Sequence, residues 1–282
     1  MSQTRFLSDT AETKFTDGWS ARFAYRRFGT AGSIPLVLTN RFRGTIDHWD
    51  PALLDVLARE REVIVFDNVG VGLSTGDVPG TVAAMASGAA EFLETIGVDE
   101  ADVLGWSMGG FVAQALTLAQ PGLVRRLVVA GSGPGRVPDA PAAPDKVWPT
   151  ALKEVNDDED FLYLFFPENP SARAAGTASL HRLRTRLRSS QSTVAADGVK
   201  AQFAAIRAWS GGEDAAWDRL QELTLPVLVA NGAQDVMAHA YLSYAMSQNL
   251  PDATLTLYSN AGHGFLFQHA DLFGGHVLDF LR

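Results

Sequence analysis

The chain has 282 residues, 46% of them hydrophobic and 20% charged, with a formal net charge of -9 and no cysteine. That length suits one α/β domain carrying an insertion, and the acidic balance argues against nucleic acid or an anionic membrane as a partner. The missing cysteines exclude disulfides, thiolate nucleophiles and Cys-based zinc sites, and with no leader-like pattern in residues 1–14 and no apolar run near the ~20 residues of a membrane helix, the expected compartment is the cytoplasm.

Along the chain, residues 15–28 mix Phe, Trp and Tyr with polar residues and end at Gly29, a pattern that predicts a hairpin or edge strands. The short apolar run 35–40 predicts a strand covered on both faces. A helix is expected over 47–59, a strand over 62–68, a Gly-rich turn, and a helix over 81–96 that stops at Gly97. Residues 102–107 predict a strand running into a sharp turn, and 108–119 a helix that ends before Pro121. A further strand is expected over 125–132. The rhythm then breaks at the Pro/Gly-rich stretch 131–145, and no strand run appears before about Gly212. Strand and helix signals return at 226–232, then a helix to about Asn249, a strand over 253–260 and a terminal helix from about Gln268. Strands that alternate with helices predict a mostly parallel sheet covered on both faces. The expected division is a core of residues 1–136 and 213–282, interrupted by a helical cap, 137–212.

Gly105-Trp106-Ser107-Met108-Gly109 has the form G-x-S-x-G between a predicted strand and a predicted helix. A strand that turns straight into a helix strains the residue at the turn and crowds the positions two to either side, so glycine suits both. Ser107 is the candidate nucleophile. A serine hydroxyl needs a base, and of six histidines His263, flanked by Gly262 and Gly264 just after the strand 253–260, is the candidate. His48 and His239 fall at or within predicted helices, His181 in the insertion, and His269 and His276 in or beside the last helix. Asp235 follows the strand 226–232 and is the candidate acid. It also has the makings of a helix N-cap. The alternative acid position after the strand 125–132 holds Gly131-Ser132-Gly133. Gly70-x-Gly72 after a strand is similar to a dinucleotide loop, but Thr75 stands where the third glycine is expected.

On these residues the chain resembles the α/β-hydrolase superfamily, in its branch of esterases, lactonases and haloperoxidase-like enzymes with a helical cap. The likeness runs from about Leu36 to the C-terminus, excluding the cap. Asp67-Asn68-Val69-Gly70-Val71-Gly72-Leu73-Ser74 fits the family's D-x-x-G-x-G-x-S turn. The resemblance implies an α/β-hydrolase fold and an acyl-enzyme mechanism on a small, largely apolar ester or lactone, with no metal and no organic cofactor. Peracid formation, C–C bond hydrolysis or a weakly catalytic ligand receptor would use the same residues. It also implies an oxyanion hole from the N–H groups of Phe42 and Met108. One departure stands out: where the family has His-Gly-aromatic, this chain has Asn40-Arg41-Phe42. Arg41 is expected either to anchor the loop through a buried acid or to contact the substrate. Trp148, Met237 and Phe265 are further candidates for the substrate pocket. In the cap, Leu180, Leu183 and Leu187 fall at helical spacing beside Arg182, Arg184, Arg186 and Arg188, which predicts an amphipathic helix with a solvated basic face or, alternatively, a basic mouth that attracts an anionic substrate.

Overall fold

The computed structural model describes residues 6–32 and 34–282. Eight strands form one sheet: β1 (Lys14–Asp17), β2 (Arg22–Gly29), β3 (Leu36–Thr39), β4 (Glu62–Phe66), β5 (Ala101–Trp106), β6 (Val124–Ala130), β7 (Val227–Gly232) and β8 (Ala253–Tyr258). Their order is β1-β2-β4-β3-β5-β6-β7-β8. The hairpin β1–β2 joins β4 antiparallel, and β4 through β8 run parallel. The mostly parallel sheet expected from the alternating pattern is therefore present, in line with the fold the resemblance implies.

Strand periodicity divides the apolar residues between two cores. On β5, Ala101 and Val103 face one side and Leu104 and Trp106 the other; on β4, Ile64 and Phe66 oppose Val63 and Val65. The helices α3 (Val82–Thr95), α4 (Met108–Ala119), α8 (Ala196–Gly211) and α9 (Ala240–Asn249) contribute to the first core. The helices α2 (Pro51–Ala58), α6 (Asp158–Phe165), α10 (Phe265–Gln268) and α11 (Ala270–Phe280) contribute to the second. Burial of both faces is why these strands read as continuous apolar runs. Short α1 (Leu7–Thr10) packs on α2. Among the described residues no helix is long and apolar enough to cross a membrane.

Between β6 and β7 the chain forms α5 (Val147–Ala151), α6, α7 (Pro170–Leu187), α8 and a 3-10 turn at Trp217–Glu222. Two of these helices have clear start signals. Asp157 and Asp160 make a reciprocal capping box on α6, and Asn169 caps α7 with Pro170 in its first turn. One boundary differs from the sequence expectation in a way that matters. The helix expected from residue 47 starts at Pro51, because Asp50 accepts the Ala52 N–H as N-cap and the proline fixes the first turn. Residues 47–49 are thereby left in the loop beside the site.

Candidate active site

Parallel strands put their carboxyl ends on one edge, where sites of open α/β sheets form. The ends of β3, β5, β7 and β8 carry, in turn, the Arg41–Phe42 loop, Ser107, Asp235 and His263. Ser107 has φ 59° and ψ -123°, a left-handed conformation that a non-glycine residue adopts only when its surroundings enforce it. They do so through close packing. A Cβ on Gly105 would lie 2.4 Å from the Gly109 carbonyl oxygen, as the crowding argument expects. A Cβ on Gly109 would instead strike the Thr39 carbonyl at 2.0 Å, so this second glycine serves β3 rather than the other flank of the turn. That contact, with the Thr39 hydroxyl donating to the Gly109 carbonyl at 2.8 Å, seats the start of α4 against the loop after β3. The Ser107 carbonyl accepts from the Ser132 hydroxyl at 2.7 Å and from the Gly110 N–H at 2.8 Å.

Asp235 and His263, 28 positions apart, meet in the structure. His263 Nδ1 donates to Asp235 Oδ2 at 2.7 Å, and both side chains are buried. Asp235 Oδ1 accepts from the Met237 and Ala238 N–H groups at 2.7 and 2.9 Å. This is an Asx turn, not the N-cap the sequence suggested: α9 starts later, at Ala240, and His239 caps it. The imidazole is held from three sides. Trp106 Nε1 donates to the His263 carbonyl at 3.1 Å, the Trp106 and Phe165 rings lie 5.7 and 5.6 Å from it, and the Gly264 N–H donates to the Phe165 carbonyl at 2.7 Å. Nε2 of His263 makes no hydrogen bond among the described residues. A Cβ on Gly131 would sit 3.3 Å from Nδ1, so the vacant alternative acid position also points at this ring.

Ser107 and His263 line one cavity of about 490 Å³ with Arg41, Phe42 and Met237. Leu180, Leu183 and Leu187, the apolar stripe of α7, line the same cavity. The N–H of Met108 opens α4 and so has no partner within the helix. Among the described residues the Phe42 N–H also makes no hydrogen bond. Two of the candidate pocket residues lie elsewhere. Trp148 packs behind the wall, edge-on to Phe42 at 6.3 Å and against Phe203 at 5.0 Å. Phe265 is fully buried beneath β8, stacked on Tyr258 at 5.2 Å, because α10 starts immediately after the His263 loop and turns its first residue into the core.

The two loop arginines differ. Arg43 (φ 56°) binds the insertion: its Nη1 donates to the Ala151 and Lys153 carbonyls and its Nη2 to the Glu154 carbonyl, all within 3.0 Å. Among the described residues Arg41 has no acid to anchor it. Its Nη1 donates to the Phe42 carbonyl at 2.7 Å, and its guanidinium lies over the Phe165 and Trp106 rings at 5.1 and 5.6 Å. The arginines of α7 are paired rather than open: Arg182 with Asp50, Arg184 with Asp158, and Arg186 near Asp47. His48, which the sequence placed in a helix, lines the cavity. No sequence signal marks it, since its position depends on where α2 begins. Asp67 in the glycine turn is buried and accepts from the Ile46 and Leu73 N–H groups and the Ser192 hydroxyl. Gly72, at φ 59°, passes so close that a Cβ would meet Asp67 Oδ2 at 2.2 Å.

Comparison with known proteins agrees with this architecture. The family model described as alpha/beta hydrolase fold matches residues 34–270. A solved alpha/beta hydrolase fold protein from Chitinophaga pinensis superposes with a TM-score of 0.87 at 35% identity, covering 98% of each chain. A protein of Azorhizobium caulinodans named as a carbamate hydrolase, RutD, is 26% identical over 278 residues, covering 94% of this chain and 97% of that one. A 2-hydroxy-6-oxononadienedioate/2-hydroxy-6-oxononatrienedioate hydrolase of Burkholderia vietnamiensis is 26% identical, with 100% of each chain covered.

Proposed function

The chain belongs to the alpha/beta hydrolase fold family, and from that premise we propose that it hydrolyses a carboxylic ester or lactone of a small, mainly apolar substrate through an acyl-enzyme on Ser107. The observation that carries this reading is the buried Asp235–His263 pair, whose imidazole shares a cavity with a serine held at a positive φ on the strand–helix turn.

In the proposed reaction the Ser107 hydroxyl attacks the substrate carbonyl. His263 Nε2 takes the hydroxyl proton and then gives it to the leaving alcohol. Asp235 fixes the proton on Nδ1 and stabilises the imidazolium that forms. The N–H groups of Phe42 and Met108 stabilise the oxyanion, a contribution worth roughly 3 kcal/mol per donor in a well-studied protease. Water, activated by the same imidazole, then releases the acid and restores the serine. Aromatic and leucine side chains around the cavity favour an apolar substrate body. Residues 137–212 act as the cap, and its Phe161, Leu180 and Leu183 set which substrates fit.

The relatives support hydrolysis without choosing the bond. One is named a carbamate hydrolase and one a 2-hydroxy-6-oxononadienedioate/2-hydroxy-6-oxononatrienedioate hydrolase, and carbamate or C–C bond cleavage would use the same three residues as ester cleavage. A fluorophosphonate probe followed by peptide mass spectrometry tests the nucleophile: stoichiometric labelling of Ser107 is expected. Initial rates on matched aryl esters, lactones, carbamates and a vinylogous 1,5-diketone then test the bond type. Labelling at another serine, or faster cleavage of the carbamate or diketone than of every ester, would overturn the reading.

A further inference from the structure

Arg41 is half-buried and lacks the counter-charge that several other enclosed arginines have. Arg26 pairs with Asp47 at 2.7 Å, Arg182 with Asp50 at 2.6 Å, and Arg61 with Asp102. Arg41 has no carboxylate within ion-pairing distance among the described residues. Its Nη1 is taken by the Phe42 carbonyl, its Nε is sealed without a partner, and its Nη2 is neither sealed nor hydrogen-bonded. Burial, and after it the charge of Arg43, pulls its pKa down to about 10, which leaves it cationic at neutral pH. A guanidinium taken out of water without a counter-charge is costly, and such a cost is retained where a ligand supplies the missing charge.

His48 provides a second free donor on the same cavity. Its Nδ1 accepts the Thr45 backbone N–H at 3.1 Å. A backbone N–H can only donate, so the ring proton lies on Nε2. Burial and the neighbouring Arg41 charge push the ring's pKa down to about 3, so His48 is neutral and its Nε2–H stays in place over the working range. Nε2 is not sealed and has no partner among the described residues. Arg41 and His263 meanwhile pack against the same two rings, Trp106 and Phe165, which puts the free guanidinium one ring away from the imidazole of the proposed triad.

We propose that Arg41 and His48 together form a receptor for a carboxylate on the substrate, so that the preferred ester or lactone has an apolar body and one acid group. This rests on the site reading given above and narrows its substrate class. The exposed carboxylates at the cavity mouth, Glu154, Asp157 and Asp158, oppose it only weakly. Asp158 is already paired with Arg184, and exposed charges are screened over roughly 8 Å at physiological salt. Arg41 acts between aromatic walls, where a charge interaction is several times stronger.

Two pairs of esters test the receptor. The acyl-side pair is 4-nitrophenyl hemiglutarate against 4-nitrophenyl pentanoate, and the alcohol-side pair is 4-acetoxybenzoate against 4-acetoxybenzamide. The readout is the ratio of kcat/KM, charged over neutral, which cancels any general loss of activity. The wild-type ratio should exceed one in at least one pair. Arg41→Met should lower that ratio on the order of 10- to 100-fold, the scale of a hydrogen bond to a charged group. Arg41→Lys should restore part of it, and His48→Phe should lower it by roughly tenfold or less, as a neutral donor does. Calorimetry of glutarate and glutaramide on Ser107→Ala gives a readout that needs no turnover, and only glutarate should bind. Glutarate binding to Ser107→Ala with no ester turned over by the wild type would sustain the receptor and defeat the hydrolase reading. Ester turnover with wild-type ratios below one in both pairs, a ratio unmoved by Arg41→Met, or equal binding of glutaramide would overturn the receptor and leave the hydrolase reading standing.

Discussion

Asp235→Asn offers a sharp test of the site, because the structure dictates how the amide must sit. Asp235 Oδ1 accepts two backbone N–H groups, at 2.7 and 2.9 Å, and Oδ2 accepts His263 Nδ1 at 2.7 Å. Asparagine has one oxygen and one NH₂. If the NH₂ faced the turn it would oppose the Met237 and Ala238 donors, each a buried polar group costing about 1–3 kcal/mol when unsatisfied. The oxygen therefore takes the turn and the NH₂ faces Nδ1. Nδ1 must then accept, which moves the ring proton to Nε2, the atom that has to receive the Ser107 proton. The expected loss in kcat is about 10⁴-fold, the scale seen for the same change in a serine protease, or about 5 kcal/mol of barrier. The two turn N–H groups and Nδ1 all keep a partner, so Tm should stay near wild type. Asp235→Ala should differ: it strands three donors and should cost about 2–5 kcal/mol of stability as well. Steady-state rates on a 4-nitrophenyl ester and thermal denaturation of both variants read the two effects separately. A kcat for Asp235→Asn within tenfold of wild type, or a Tm as low as that of Asp235→Ala, would refute the reasoning.

Three further outcomes follow from particular contacts. Ser107→Gly should melt about 2–4 °C above Ser107→Ala, since glycine relieves a left-handed backbone worth about 1 kcal/mol; scanning calorimetry of the two inactive variants decides it. Trp106→Phe leaves the buried His263 carbonyl without its donor and opens a small cavity, so urea unfolding should show a loss of about 2–4 kcal/mol, with a several-fold lower kcat as the histidine loop loosens. Burial holds the Asp67 carboxyl up at about 6, above its ordinary 3.8, so the folded state binds the proton more tightly than the unfolded state does. The stability this provides is complete below about pH 4 and lost as pH rises through 6. The Tm of Asp67→Asn relative to wild type should therefore rise between pH 4 and pH 7. A constant difference would mean that the carboxyl titrates alike in both states.

Much of the framework was legible from the chain because it is local. Apolar runs at 35–40, 62–68, 102–107 and 226–232 predict strands buried on both faces, and β3, β4, β5 and β7 lie there. The G-x-S-x-G spacing encodes a strained turn, and Ser107 has the backbone that spacing requires, although Gly109 is demanded by Thr39 on β3 and not by the turn itself. Asp235 and His263 stand after predicted strands, and parallel strands bring their carboxyl ends to one edge, so their meeting follows from topology. What surrounds them depends on packing between distant segments, which no local pattern contains. Trp148 and Phe265 had the composition of pocket residues, yet the burial each finds behind the cavity wall was set by Phe42, Phe203 and Tyr258. The basic stretch of α7 has the composition of an anion-attracting face, but Asp50 and Asp158 neutralise Arg182 and Arg184. Arg41 stands out in the sequence as a departure from the family pattern, whereas His48 has no such signal; both line the cavity with no acidic partner among the described residues, because packing brings none to the loop after β3 and α2 starts beyond His48. A charge's partners are fixed by three-dimensional neighbours, and sequence alone determined which residues were present, not which were left unsatisfied.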